Sequence, residues 1–162
     1  MGNSPVACYG PSSGPQDCDG PCLDCAAGAN SYCCAAGSTW NNEASSCNPG
    51  MFGGRNAFQC KFADVTDGLS STLMLCEHQG ELLNWGGALS GNFQGVPTGM
   101  RINSPSIQYT NAGAYKNNMG AGSYHPGGAL FCKGDGAVVF LANEIDFQSY
   151  NFLGARADGQ VP

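Results

Sequence analysis

The chain has 162 residues, enough for one domain or one domain with a small appendage. Only 11% of them are charged, glycine supplies 25, and the formal net charge is -6. That acidic balance argues against a nucleic-acid binder, which needs a basic stripe to neutralise phosphates, and against docking on an anionic membrane. Hydrophobic residues make up 42%, so a core can form. No apolar run approaches the ~18–20 residues that span a bilayer, Ala137–Ala142 being among the longest.

The first 47 residues hold seven of the ten cysteines: Cys8, Cys18, Cys22, Cys25, Cys33, Cys34 and Cys47. Turn formers interrupt this segment at Tyr9-Gly10-Pro11, Gly14-Pro15 and Asp19-Gly20-Pro21, and no helical or strand period is visible. A loop-like segment of this kind offsets its chain entropy only with cross-links. An even cysteine count in a low-charge chain reads as a disulfide framework in an oxidising compartment, Cys60, Cys76 and Cys132 included. Zinc is the rival at Cys22-x2-Cys25, with Cys33, Cys34 or Cys47 completing a tetrahedral set. Met1-Gly2-Asn3-Ser4-Pro5 has neither a basic start nor an apolar stretch, so a mature or truncated form is expected. No Asn-x-Ser/Thr acceptor occurs, which leaves glycosylation to Ser and Thr oxygens.

Phe58, Cys60 and Phe62 alternate with polar residues and predict a half-buried strand. Asp64-Val65-Thr66-Asp67-Gly68 supplies a capping carboxylate and a turn. Thr72–Glu77 is apolar on both faces, which predicts a central strand. Residues 80–122 are rich in Gly, Asn and Ser, with Trp85, Phe93, Tyr109 and Tyr115 scattered through them, and predict an irregular functional or variable surface. Ala129–Lys133 and Ala137–Leu141 flank Gly134-Asp135-Gly136 as a hairpin with a three-residue loop. With Lys133 facing Ala137, Cys132 lies opposite Val138 and Leu130 opposite Phe140, while Phe131 and Val139 fill the other face. Both faces are apolar, so each needs a cover. Asp146 caps a last short helix whose apolar stripe is Phe147, Tyr150 and Leu153.

Three ordered motifs carry a resemblance. They are Phe62–Met74 followed by Glu77; His125-Pro126-Gly127-Gly128 with Asp135-Gly136 at the spacing His-x9-Asp-Gly; and the helical tail from Asn143 to Gly159. Together they resemble the pilin-like (prepilin-type) proteins abundant in planctomycetes, a domain of unknown function also labelled as a bacterial solute-binding type. The resemblance covers residues 48–162, leaving residues 1–47 as a separate cysteine-rich segment. It implies export and assembly, with Asp64, Asp67, Gly68, Glu77, His125, Gly127, Asp135 and Gly136 as the motif positions. Members begin with a prepilin cleavage site and a long apolar helix that this sequence lacks, so the chain is expected to be the C-terminal part of a longer precursor.

His125 beside Asp135 is the candidate for chemistry, but catalysis needs an oriented partner and a nucleophile, and no pattern supplies them. A turn histidine packed on the hairpin is the expected reading, and His78 is expected at the surface. Asp64, Asp67 and Glu77 are candidate oxygen ligands for calcium, although no complete loop of alternating ligands is present. No other cofactor is indicated, and no nucleophile elbow, phosphate loop or zinc-protease motif occurs. The expected fold is α+β, a mainly antiparallel sheet with short helices and a disulfide-rich N-terminal segment. Cys76 and Cys132 are expected to bridge neighbouring strands. The expected role is a non-enzymatic extracellular subunit that assembles with copies of itself into a filament or surface layer. The alternative is a solute- or glycan-binding module that uses the aromatic residues of 85–115.

Overall fold

The computed structural model describes residues 8–15, 49–52, 59–82, 95–109, 115–160 and 162, and the side chains of these apart from residues 115 and 116. Among them, five strands form one sheet: β1 (Tyr9–Gly14), β2 (Leu73–Glu77), β3 (Val96–Pro97), β4 (Gly128–Lys133) and β5 (Val138–Ala142). Their order is β3-β1-β2-β4-β5. All pairings are antiparallel except β1 with β3. Two helices, α1 (Tyr115–Asn118) and α2 (Phe147–Gly154), and short 3-10 turns complete an α+β fold.

β2 is central, as its two apolar faces require, with Leu73 and Cys76 fully buried. The β4–β5 hairpin has the expected register, pairing Cys132 with Val138, Phe131 with Val139 and Leu130 with Phe140. The Lys133 N–H donates to Ala137 O at 2.8 Å, and Gly136 takes the positive φ of +88° that the tight loop demands. Ala129, Phe131, Val139 and Leu141 point inward to a core shared with Leu73, Cys76, Val96 and Tyr150. α2 covers this face. Asp146 caps it by accepting the Ser149 N–H at 2.8 Å, and Tyr150 meets Phe131 edge-on at 5.9 Å between centroids. Gly154 closes the helix directly over Thr98, where a Cβ would collide with the threonine side chain.

The opposite face carries Leu130, Cys132, Val138 and Phe140. Val138 is 67% and Phe140 51% exposed, whereas Leu130 and Cys132 are half-buried, so among the described residues the β5 side of this second apolar face lacks a cover.

Three expectations change. Residues 9–14, placed by sequence in the loop-like N-terminal segment, form β1, which lies between β2 and β3. Glycine and proline hid it, because Gly10, Pro11 and Gly14 read as breakers. The strand expected at residues 58–62 is not formed by its described part. Residues 59–61 are irregular and Phe62–Asp64 is a 3-10 turn with Phe62 exposed. Cys76 and Cys132 do not bridge. β2 pairs Leu75 with Cys132 and Cys76 with Phe131, so the two sulfurs lie on opposite faces of the sheet. Among the described residues Cys8, Cys60, Cys76 and Cys132 form no disulfide. Cys18, Cys22, Cys25, Cys33, Cys34 and Cys47 lie outside the described residues, as do Trp85 and Phe93.

Candidate functional site

The histidine and aspartate of the His-x9-Asp-Gly spacing stand at opposite ends of β4, which alone spans roughly 20 Å of extended chain. The interval between them is therefore the length of one strand and its turns, and the two side chains form no pair.

At the hairpin end, Asp135 accepts the Ala137 N–H at 2.9 Å and shapes the loop that Gly136 completes. The other acidic motif residues are also held by backbone donors. Asp64 accepts the Lys61 N–H at 2.8 Å. Asp67 follows a short turn and precedes Gly68, whose φ of +98° lets the chain reverse. Its carboxylate accepts the N–H groups of Asp158 at 2.7 Å and Gly159 at 2.9 Å, fastening the C-terminal tail. Burial, and the Asp67 carboxylate beside it, raise the Asp158 pKa. Arg156 completes the clamp by donating through Nη1 to Gly50 O at 2.7 Å. Asp64, Asp67 and Glu77 do not converge, and no group of three or more His, Cys, Asp or Glu residues among the described ones is placed to hold a metal ion.

At the other end of β4, His125 Nε2 lies 3.4 Å from Glu77 Oε1, with the imidazole about half exposed. Glu77 Oε2 accepts the Leu130 N–H at 2.9 Å, across the irregular β2–β4 ladder. The turn before β4 is set by Ser123, whose hydroxyl accepts the His125 N–H at 2.8 Å, and by Gly127 at a φ of +79°. Next to His125, the Tyr124 hydroxyl donates to Glu81 Oε1 at 2.6 Å. This bond, together with slight burial, the Glu81 charge and the nearby Tyr109 phenol, raises the Tyr124 pKa. His78, expected at the surface, is buried. Burial lowers its pKa, and Glu81 opposes that only in part.

Two asparagines organise this end, and no hydrophobic period marks either of them. Asn103 adopts a φ of +49° and accepts the Ser123 N–H through Oδ1 at 2.8 Å. Its amide donates to Asn143 Oδ1 at 3.0 Å, tying the turn before β4 to the end of β5. Buried Asn118 donates to Leu82 O at 3.0 Å and accepts the Gln108 N–H at 2.8 Å. It thereby draws the segments bearing Glu81 and Tyr109 together.

Chemically, this end offers hydrogen-bonding carboxylates, an imidazole and exposed phenol rings. Among the described residues the Ser123 hydroxyl meets the His125 backbone N–H, and the His125 imidazole meets Glu77.

No curated protein matches the chain, and no solved structure does. One family model matches residues 15–148, which include β2 to β5 and every acidic, histidine and glycine motif position above. That family is described as a protein of unknown function (DUF1559), and the chain belongs to it.

Proposed function

We propose that this protein is a non-enzymatic, extracellular structural subunit that associates with copies of itself into a pilin-like fibre or surface layer. The observation that carries the reading is the outer edge of β5. Lys133 N–H donates to Ala137 O, and Asn143 N–H donates to Gly127 O, so residues 137, 139, 141 and 143 make the bonds to β4. Val138, Phe140 and Ala142 therefore turn their backbone groups away from β4; the Ala142 carbonyl accepts the Ile145 N–H at 3.1 Å, and no other described strand pairs with these residues. Their side chains are exposed as well.

Residues 137–142 read Ala-Val-Val-Phe-Leu-Ala, with no charge, proline or glycine. Edge strands normally carry such residues as protection against pairing. An uncharged β-forming run of six is instead suited to adding a strand. The second copy supplies its own β5, because an antiparallel pair about a twofold axis at Phe140 sets Val138 against Ala142 of the other copy. In that register the outward groups of both strands meet. A chain of net charge -6 makes its contact where the strand itself carries no charge.

Negative-stain microscopy and sedimentation across a concentration series test this reading. Concentration-dependent oligomers or fibres are expected, and Phe140→Lys is expected to disperse them. Monomers alone at every concentration would contradict it.

A further inference from the structure

We infer that the end of the sheet carrying Tyr109, Tyr124, Glu81, Glu77 and His125 is a contact site for a neutral, hydroxyl-rich glycan. Tyr124 is 74% and Tyr109 57% exposed, so both rings offer faces to solvent. The two rings reach this place from separate segments. Tyr124 follows Ser123, which Asn103 holds, and Tyr109 follows Gln108, which Asn118 holds. Asn118 also holds Leu82, next to Glu81.

The aromatic and polar parts are fixed before any ligand arrives. The 2.6 Å bond to Glu81 anchors the Tyr124 hydroxyl, and Glu77 lies 3.4 Å from His125 while its second oxygen is engaged by Leu130. Such anchoring removes ordering cost from binding. A sugar ring presents C–H groups on one face and hydroxyls around its rim. The phenol faces take the former, while the remaining lone pairs of Glu81 and Glu77 and the imidazole of His125 take the latter. The carboxylates disfavour an acidic polymer. A cationic peptide would gain little here, since a cation over an exposed ring is held weakly and no wall encloses it among the described residues.

The sequence pointed to aromatic residues of 85–115 as a stacking surface. Of that set Tyr109 is the aromatic residue whose side chain is described, and Tyr124, which the sequence did not single out, stands beside it.

This inference does not depend on self-association, and its test separates the two. Native gels are cast with a mannan, a galactan or a β-1,4-glucan, and others with alginate. The full chain, its Phe140→Lys variant, Tyr109→Ala, Tyr124→Ala and Tyr124→Phe are run in each. Retardation is expected in at least one neutral gel and is expected to persist in Phe140→Lys. Tyr109→Ala and Tyr124→Ala are expected to weaken it at least tenfold with unchanged melting temperature, and Tyr124→Phe by less. The inference is overturned by no retardation in any neutral gel, by retardation that both alanine variants retain, or by retardation in alginate alone.

Discussion

Glu77 and His125 touch each other, yet they do different amounts of structural work. Glu77 receives a backbone N–H that the irregular β2–β4 ladder leaves without a strand partner, whereas His125 contributes one exposed ion-pair contact. Glu77→Ala is therefore expected to cost about 2 kcal/mol, the penalty for orphaning a part-buried donor. His125→Ala is expected to cost under ~1 kcal/mol. Denaturant titration of the two variants checks the order, and equal losses would contradict it. His78 acts through its proton. Its folded pKa is depressed below the ordinary 6.5 by burial, so the unfolded chain binds the proton first as the pH falls. Stability is expected to be level above that value and to decline below it, towards the depressed folded pKa. His78→Gln is expected to flatten this decline in thermal melts. Burial pushes the Cys76 thiol up to about 12, whereas Cys8 is exposed. Iodoacetamide at mildly alkaline pH is accordingly expected to label Cys8 rapidly and to leave Cys76 untouched until unfolding. A motif histidine and aspartate ten positions apart were visible in the sequence. That a strand separates them was legible too, once Ala129–Lys133 was read as extended. The partner of His125 was not, because Glu77 comes close only through the pairing of β2 with β4, whereas the Ala137 N–H lies two residues from Asp135 in the same loop.

At the scale of elements, local pattern sufficed where packing and period agreed. The β4–β5 register followed from one glycine-flanked loop and two apolar runs, and α2 followed from its Asp146 cap and its apolar spacing. β1 escaped because its sequence, Tyr-Gly-Pro-Ser-Ser-Gly, has turn chemistry. It is extended because β2 on one side and β3 on the other supply ladders that override that propensity. Gly154 shows the same limit. In sequence it is a weak helix residue, whereas in the structure its missing side chain lets α2 settle onto Thr98. Gly154→Ala raises helix propensity and is nevertheless expected to destabilise the fold, by roughly 1–3 kcal/mol, as overpacking does. A rise in melting temperature in this variant would show that α2 can sit further from the sheet. The bridge between Cys76 and Cys132 failed for a matter of parity. The strands are neighbours, but a register pairing Cys76 with Phe131 turns one sulfur inward and the other outward.

For the whole molecule, the distribution of surfaces matters more than any single residue. One face of the sheet is closed by α2, and the C-terminal tail is fastened to the Asp67 turn and to Gly50. The other face remains apolar toward β5, which ends the sheet with an uncharged edge. A monomer that kept this edge in water would forgo both burial and backbone pairing, and the proposed assembly would have a second copy supply both at once. Amide hydrogen exchange followed by NMR as a function of protein concentration tests this directly. The amides of Val139 and Leu141, bonded to β4, are expected to be protected at every concentration. Those of Val138, Phe140 and Ala142 are expected to exchange fast when dilute and to become protected as concentration rises. Fast exchange of these three at all concentrations would contradict assembly through β5.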